Sequence, residues 1–329
     1  LAESWDHPGL QVGNPNQPVH KILVALDMTE LNIPYAIDHG VDMVISHHPF
    51  LFKPIHDIDL STCKGRMIEN LIRHRITSFA AHTNLDSAVQ GVNDALAEKL
   101  GLQECKGFVP VMTYSSYKFT LYITAAHAKL LKKKLDSLRG KDIESYYVVD
   151  DADDFTENIR VEFRVPGQLV KQVKDMISSL DKSAKYDVYK LVNHGYKETM
   201  GRIGKFPFPM SVEEALSYIK NKLEIPVLRY AGNRDRLVEK IAILGGAGAE
   251  FAEVAKSMGA DLYLTGDLKY HEAQDAAMNG LVIADGGHFY TERVIIPYLA
   301  KRLRDEFKTR GWNVGVLEDV RAKDIFHCV

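Results

Sequence analysis

The residue types best suited to chemistry in this chain are histidines and carboxylates that follow apolar segments. His47 and His48 stand side by side directly after the apolar run 41–46. A run of this kind, rich in β-branched residues, indicates a buried strand, and ligands usually bind beyond the carboxyl ends of strands in an open α/β sheet. Successive strand side chains point to opposite faces, so two adjacent histidines can converge only in the loop that follows. One histidine would more commonly be a hydrogen-bonded core residue, whereas the pair predicts a binding site.

Two other predicted strands also end in polar side chains. His82 follows the apolar run 76–81, and Asp86 comes four residues later. Asp267 follows another such run, and His271 stands four residues beyond it. Asp86 alone could serve only as a helix N-cap, which is the commoner role of an Asp at this position. Several strand ends that carry His or Asp at one edge of a sheet nevertheless indicate a shared site.

A carboxylate and a histidine also lie on the inward face of the last predicted helix. The apolar stripe of helix 288–307 extends back to Glu292 and then to His288, four residues apart on the same face. An inward Glu and His are costly unless they are paired or bind a metal ion. A simple Glu–His hydrogen bond at an exposed helix end is the alternative. The stripe itself consists of Ile295, Ile296, Leu299 and Leu303.

These side chains together predict a metal site. Imidazole and carboxylate ligands without thiolate suit zinc, iron, manganese or nickel, and the sequence does not decide among these metals. The candidates outnumber the ligands that one tetrahedral zinc needs. We therefore expect a centre with two divalent metal ions per chain, for which zinc is favoured.

The glycine-rich segment 245–248, which precedes Glu250, has two possible roles. It lies between a predicted strand and a predicted helix, so its backbone N–H groups could bind an anion. The segment matches neither the Walker pattern nor the full dinucleotide fingerprint. Close packing of the strand against the helix is therefore the favoured role.

The order of elements predicts an α/β protein with an inserted domain. In both outer thirds, apolar strands alternate with helices, which is typical of right-handed crossovers and a mainly parallel sheet. The middle third carries two strand–helix–strand units, which together predict a ferredoxin-like α+β domain. The predicted division assigns 1–104 and 235–329 to the two parts of the α/β domain and 105–234 to the inserted domain.

Composition and charge limit the classes of function. The net charge of −3 over 329 residues gives no general attraction to nucleic acid, and no apolar run is long enough to cross a bilayer. Cys63, Cys105 and Cys328 are far apart and form no C-x-x-C pattern, so we expect reduced thiols in a cytoplasmic protein.

The first segment of the chain, 1–18, is rich in Gly, Pro, Asn and Gln and is expected to be irregular. Trp5 and Leu10 are its expected apolar anchors. Because the chain starts at Leu1 rather than Met, we expect a natural amino-terminal piece to be missing.

Six motifs in the two outer thirds resemble those of the GTP cyclohydrolase type 2 homologue family, also called Nif-three-like. In chain order they are Ser4-Trp5-Asp6-His7-Pro8-Gly9-Leu10-Gln11-Val12-Gly13, Ser46-His47-His48-Pro49, His82-Thr83-Asn84-Leu85-Asp86, the glycine turn with Glu250, Thr265-Gly266-Asp267 with His271, and Gly287-His288-Phe289-Tyr290-Thr291-Glu292. Family members usually have Asn where His7 stands and begin with a helix ahead of Leu1.

The resemblance implies a dinuclear metal centre and a particular assembly. The middle third looks like the insertion, similar to PII and CutA folds, that some bacterial members carry, and such members form toroidal homohexamers. The family's metal ligands fall on His47, His48, Asp86, His288 and Glu292.

The leading functional hypothesis is a metal-dependent hydrolase acting on a nucleotide or related small molecule. Two cations would activate a water molecule and polarise the substrate. His82, Asp267 and His271 are then candidates for proton transfer or for support of the ligands. The alternative is a metal-binding or regulatory oligomer without turnover, which the inserted domain favours. A structural protein without metal is the third hypothesis.

Overall fold

The computed structural model describes residues 2–136, 144–149 and 158–327. The chain divides into two compact units: Leu1–Val111 together with Thr199–Val329, and Met112–Glu198. The strands are β1 (Gly9–Val12), β2 (Lys21–Ala25), β3 (Met43–Ser46), β4 (Thr77–Ala80), β5 (Gln103–Lys106), β6 (Val109–Thr124), β7 (Glu144–Val149), β8 (Asn158–Pro166), β9 (Lys185–Met200), β10 (Arg202–Ser211), β11 (Arg229–Ala231), β12 (Leu237–Ala247), β13 (Leu262–Gly266), β14 (Val282–Asp285) and β15 (Gly315–Glu318). The helices are α1 (Asn32–Asp38), α2 (Cys63–Arg73), α3 (Thr83–Asp86), α4 (Val92–Lys99), α5 (Ala125–Asp136), α6 (Val170–Leu180), α7 (Val212–Leu223), α8 (Ala252–Ser257), α9 (Tyr270–Met278), α10 (His288–Glu292) and α11 (Ile295–Arg310).

The first unit contains two sheets rather than the single sheet expected from the sequence. One has the order β1-β4-β3-β2-β15, and the other has the order β11-β14-β13-β12-β10-β5. In the first sheet β15, β2, β3 and β4 are parallel and β1 is antiparallel. In the second, β12, β13 and β14 are parallel, whereas β10 and β11 are antiparallel to their neighbours. The expectation of one sheet was wrong because β12 pairs with β10 instead of with a strand of the amino-terminal third.

The strands of the first sheet contribute to two hydrophobic cores. Along β2, Ile22 and Val24 point into a central core, while Leu23 and Ala25 point into an outer core, as the two-residue period of a strand requires. The central core also contains residues of β12, β13 and β14 together with α4, α7 and α11. It therefore joins the two sheets through a shared set of helices. On its far side the second sheet packs against α8 and α9 in a third core.

Two helices differ from their sequence-based predictions next to candidate ligands. The sequence predicts a helix over 86–100, but the helix begins only at Val92 as α4, and Asp86 instead ends a separate short helix, α3. The predicted helix 288–307 is split into α10 and α11, with Arg293 and Val294 between them. Each break leaves a short helical turn that carries ligand candidates at a sheet edge.

The second unit has a sheet of order β7-β8-β6-β9. Its strands β6 and β7 are antiparallel to β8, and α5 and α6 share one core with them. The unit Met112–Glu198 is shorter than the predicted inserted domain, 105–234. The difference arises because β10, α7 and β11 follow this unit in sequence but belong to the second sheet and central core of the first unit.

Cys63 and Cys105 are free, exposed thiols, and the third predicted thiol, Cys328, lies outside the described residues. In the part of the chain that the structure describes, no helix combines the length and apolar character that membrane crossing requires. The expected anchors of the first segment are not buried, since Trp5 is 56% and Leu10 44% exposed.

Candidate metal centre

The carboxyl ends of strands from both sheets of the first unit meet at one place. His47 and His48 follow β3, and Asp86 closes α3 shortly after β4. His288 and Glu292 are the first and last residues of α10, which follows β14 of the other sheet. The side chains of His47, His48 and Glu292 offer ligand atoms that all lie within 4.8 Å of one another. Asp86 and His288 adjoin this cluster.

Three ligand atoms form what we call the inner group: His47 Nε2, Asp86 Oδ1 and Glu292 Oε1. His47 Nε2 lies 3.6 Å from Asp86 Oδ1 and 3.7 Å from Glu292 Oε1. His47 is buried, and neither its Nε2 atom nor Asp86 Oδ1 has a hydrogen-bond partner among the described residues. Buried polar atoms of this kind are rare in proteins unless a water molecule or an ion satisfies them.

Three further atoms form the outer group: His48 Nε2, His288 Nε2 and Glu292 Oε2. Glu292 Oε2 lies 2.9 Å from His48 Nε2 and 3.1 Å from His288 Nε2. The two ring nitrogens are 3.3 Å apart. Glu292 therefore faces the inner group with one oxygen and the outer group with the other.

The opposite ring nitrogen of each histidine is held by a fixed acceptor. Nδ1 of His47 donates to the carbonyl oxygen of Ala81 at 2.8 Å. Nδ1 of His48 donates to Asp27 Oδ1, and Nδ1 of His288 donates to Asp267 Oδ2, both at 2.7 Å. With Nδ1 as the donor, Nε2 of a neutral ring carries the lone pair. Metal-binding histidines are oriented in this way by carboxylates and backbone carbonyls.

In each group, the distances between the candidate ligand atoms suit one cation bound by that group. Zinc bonds to nitrogen and oxygen are near 2.1 Å, so two ligands of one tetrahedral ion lie about 3.4 Å apart. The separations of 3.6 and 3.7 Å in the inner group are close to that value. Since the atoms without partners also lie in the inner group, the residues present fit a metal ion.

Without a cation, protons on the histidines balance the carboxylates. Burial opposes a charge on His48, but hydrogen bonds with Asp27 and Glu292 outweigh it and raise the pKa of His48 to about 10. The hydrogen bond with Glu292 is the main cause that raises the pKa of His288 to about 9. Burial raises the pKa of Asp86 to about 7. Burial also disfavours the charged form of Glu292, but the surrounding histidines hold its pKa well below the usual range.

The glycine turn after β12 packs directly against Glu292. Gly246 has φ +68°, and a Cβ atom at this position would overlap Glu292 Oε1. Its N–H donates to Thr291 Oγ1, and the N–H of Gly245 donates to Asn93 Oδ1. These donors are thus engaged inside the protein, which supports close packing over anion binding as the role of the turn.

His82 lies beside the two candidate ligands His47 and His48 without being hydrogen-bonded to them in the structure. Its ring centroid is 5.5 Å from that of His47 and 5.8 Å from that of His48. Nδ1 of His82 donates to Asp6 Oδ1 at 2.9 Å, and Asp6 also accepts from Thr83. Burial lowers the pKa of His82, although Asp6 opposes this effect.

The other two predicted support residues differ from each other. Asp267 holds His288, and its backbone has φ +54°, a left-handed conformation that Asp adopts more readily than most residues. His271 is exposed, and its nearest side-chain partner is Gln274 at 3.5 Å. The structure therefore brings His82 and Asp267 to the site and leaves His271 outside the ligand cluster.

Two carboxylates of the site were missed in the sequence. Asp27 is the last residue of the segment 21–27, which the sequence predicts as a strand, and Asp6 lies in the Gly- and Pro-rich segment. The position of Asp27 just after β2, next to the strand that delivers His48, was a signal of the kind used for Asp267. Asp6 gave no such signal.

The outer group opens onto a large cavity of the first unit. The cavity has a volume of about 1220 Å³, and its lining includes His48, Asp267, His288, Phe289 and Arg229. Small-molecule sites are concave and mostly apolar with a few polar groups. A small molecule could therefore reach the outer group from this side.

Comparisons with known proteins identify sequences similar to this chain. The family model described as Duf34/NIF3 (NGG1p interacting factor 3) matches residues 1–323. A relative from Halalkalibacterium halodurans, named GTP cyclohydrolase 1 type 2 homolog, is 33% identical over 350 residues, covering 99% of this chain and 94% of the relative. A relative of the same name from Bacillus subtilis is 32% identical, covering 96% and 91%.

A solved structure gives the same result for the fold. The crystal structure of a Bacillus cereus protein related to NIF3 superposes with a TM-score of 0.88 and 33% sequence identity. The match covers 100% of this chain and 94% of that protein. At this coverage both compact units have counterparts in the solved structure.

Proposed function

The protein belongs to the Duf34/NIF3 family, and we propose that it is a dinuclear metal-dependent hydrolase acting on a nucleotide or a related small molecule. In this proposal the inner group holds one divalent cation and the outer group holds the other. Zinc is favoured for both positions, because imidazole and carboxylate ligands without thiolate bind it well, although iron, manganese and nickel accept the same ligands.

One observation carries the proposal: the Glu292 carboxylate lies between His47 Nε2 on one side and the Nε2 atoms of His48 and His288 on the other. Oε1 is 3.7 Å from His47 Nε2, and Oε2 is 2.9 Å from His48 Nε2 and 3.1 Å from His288 Nε2. A carboxylate in this position can serve two cations at once. If only one cation were bound, the atoms of either the inner or the outer group would have no metal ion to bind.

Two neighbouring cations would supply an activated water molecule and a polarised substrate bond. The chain's own residues supply orientation and proton transfer. Asp27 and Asp267 hold the rings of His48 and His288 in place. His82 is the proposed proton acceptor, since its Nδ1–H is directed to Asp6, which leaves Nε2 available to take a proton. Asp6 would then stabilise the imidazolium that forms.

The substrate is proposed only as a class. The curated relatives carry GTP in their names, so nucleotides are the first compounds to assay. The cavity of about 1220 Å³ beside the outer group has room for part of such a molecule.

The test separates catalysis from metal binding. Metal-loaded protein is assayed for hydrolysis of GTP, other nucleotides and phosphoesters, alongside His82→Gln and the control His271→Gln. We expect His82→Gln to retain its metal ions and lose turnover, while His271→Gln behaves as the parent. Loaded parent protein that hydrolyses none of these compounds would contradict the hydrolase proposal.

A second candidate, a regulatory metal-binding oligomer, has one observation in its favour. We propose that residues 112–198 form the ferredoxin-like insertion, similar to PII and CutA folds, expected from the sequence. The strand order β7-β8-β6-β9 and the core shared with α5 and α6 support this assignment. Domains of this type often assemble and bind small molecules. The predicted homohexamer can be checked by sedimentation velocity, and under the regulatory function Glu292→Gln would alter only the metal content.

A further inference from the structure

Two exposed aromatic side chains stand next to the proposed proton acceptor. The ring centroid of Trp5 is 6.0 Å from that of His82, and the centroid of Phe52 is 6.2 Å from it. Trp5 and Phe52 are themselves 6.0 Å apart, with an angle of 71° between their planes. Three segments that are distant in sequence thus bring three rings to one point at the metal centre.

Both rings are exposed, and hydrogen bonds hold the backbone next to each of them. Trp5 is 56% and Phe52 55% exposed, whereas the adjacent Asp6 is buried. The turn that carries Trp5 is closed by a hydrogen bond from the Asp6 N–H to the Glu3 carbonyl and is held by the contacts of Asp6 with His82 and Thr83. The chain therefore buries a carboxylate here and leaves the indole in water.

Phe52 is held in a comparable way. The N–H of its neighbour Leu51 donates to Gln11 Oε1 at 3.1 Å, and Lys64 Nζ donates to the carbonyl oxygen of Phe50 at 2.8 Å. Isolated exposed apolar residues are common on protein surfaces. Two aromatic rings that both lie edge to face with a histidine of the site are a different case, because the backbone next to each ring is held by hydrogen bonds.

The location of these rings separates them from the cavity beside the outer group. Neither Trp5 nor Phe52 lines that cavity. They reach the ligands instead through His82, whose ring lies 5.5 Å from that of His47 and 5.8 Å from that of His48. A group bound on these rings would therefore be one side chain away from both groups of ligand atoms.

We propose that Trp5 and Phe52 form a recognition platform for a planar heteroaromatic ring of the substrate. The proposal rests on the proposed hydrolase function and narrows its substrate class to molecules that contain such a ring. Because the planes of the two side chains are 71° apart, a ring stacked on one of them meets the other edge to face. Both arrangements are favourable for aromatic pairs, and stacking tolerates differences in the substituents of the ring.

Trp5 fluorescence provides a direct test. The chain has two tryptophans, so Trp312→Phe leaves Trp5 as the sole indole reporter. Zinc-loaded full-length protein in this background is titrated with adenosine and uridine, and with ribose 5-phosphate as a probe without an aromatic ring. We expect both nucleosides to quench Trp5 and ribose 5-phosphate to leave it unchanged. If neither adenosine nor uridine quenches Trp5 fluorescence, the platform proposal is wrong.

Variants locate the binding on the platform. Phe52→Ala should weaken nucleoside binding about tenfold, the effect of losing one aromatic contact, and Phe52→Tyr should restore it. In the otherwise unmodified protein, Trp5→Ala should weaken binding measured by calorimetry to a similar extent. Trp312→Ala is the matched control, because Trp312 is 54% exposed and packs on Phe307 away from the site. Equal affinity of Trp5→Ala and the parent would overturn the proposal.

Two further outcomes separate the platform from a contact between subunits and from the hydrolase function. If Phe52→Ala dissociates the assembly in sedimentation velocity, the rings belong to a contact between copies and the platform is wrong. Nucleoside binding needs no turnover, so protein that binds adenosine on Trp5 but hydrolyses nothing contradicts the hydrolase proposal alone. Protein that hydrolyses a substrate equally well after Trp5→Ala contradicts the platform alone.

Discussion

The inner and outer groups of ligand atoms differ in their access to water. The side chain of His47 in the inner group is 1% exposed, whereas those of His48 and His288 in the outer group are 23% and 39% exposed. The inner histidine is held by a backbone carbonyl, and the outer histidines are held by two half-exposed carboxylates, Asp27 and Asp267. Only Glu292 belongs to both groups.

This difference assigns the two groups different tasks. Two of the three atoms of the inner group, His47 Nε2 and Asp86 Oδ1, have no hydrogen-bond partner among the described residues, so a cation there would satisfy atoms that are otherwise costly to bury. The outer atoms contact one another and face the large cavity. We therefore expect an inner cation that stabilises the fold and exchanges slowly, and an outer cation that exchanges readily and meets the substrate.

The largest effect should follow from the residue that the two groups share. Glu292→Gln removes the negative charge that faces both sets of nitrogens, so both cations should be lost and turnover should fall to background. Metal content by elemental analysis checks this result, with Glu306→Gln on the exposed face of α11 as the control. Retention of both cations by Glu292→Gln would show that the two groups are not joined through this carboxylate.

Substitution of one histidine in each group tests whether they bind separate ions. His47→Asn and His48→Asn should each lower the metal content from about two ions per chain to about one, because each removes a ligand from a different ion. His47→Asn should also destabilise the fold by about 1–3 kcal/mol, since it alters a buried, hydrogen-bonded side chain. Urea unfolding measures that cost. Loss of both ions from His48→Asn would indicate a single coupled centre.

Stepwise metal removal tests the predicted difference in exchange. A chelator added to loaded protein should extract metal in two phases, with the outer ion leaving first. Thermal stability should fall mainly in the second phase, because loss of the inner ion leaves the buried atoms His47 Nε2 and Asp86 Oδ1 without a partner. A cation present at 100 times its dissociation constant stabilises the folded state by about 2.7 kcal/mol. Release is followed with a metal indicator and unfolding by calorimetry. A single phase, or a loss of stability in the first phase, would remove the distinction between the groups.

The smallest effect is expected from the carboxylates that orient the outer rings. Asp267→Asn should weaken binding of the outer ion about 10- to 100-fold and leave the inner ion unchanged. Asn tolerates the left-handed backbone at this position, so the fold should be preserved. Asp187→Asn, an exposed carboxylate of the other compact unit, is the control. Competition with a chromophoric chelator gives the affinities, and equal weakening of both ions would contradict the assignment of Asp267 to the outer group alone.

The positions of the ligand candidates could be predicted because they follow local patterns. His47, His48 and Asp86 lie at or near strand ends. His288 and Glu292 continue the apolar stripe of the helix that the sequence predicts over 288–307. The structure brings these five side chains together. Whether they bind two ions stays a prediction.

His82 and Asp267 could be predicted as supporting residues, but the partner that each supporting residue holds could not, because it depends on pairing across the chain. Asp6 meets His82 over a separation of 76 residues, and Asp27 meets His48 over 21. The division into two sheets likewise depends on the long-range pairing of β10 with β12, which strand periodicity does not encode. For the same reason the exposed position of Trp5, fixed through Asp6, contradicts an expectation based on side-chain hydrophobicity alone.

The number of metal ions bound by the unmodified protein decides whether the two groups are separate metal sites. Purified protein is supplemented with zinc, freed of loosely bound ions by gel filtration, and analysed for metal by mass spectrometry and for protein by amino-acid analysis. We predict about two ions per chain, one for each group of ligand atoms. A ratio of about one after supplementation would contradict a dinuclear centre, and a ratio well below one would contradict metal binding by either group.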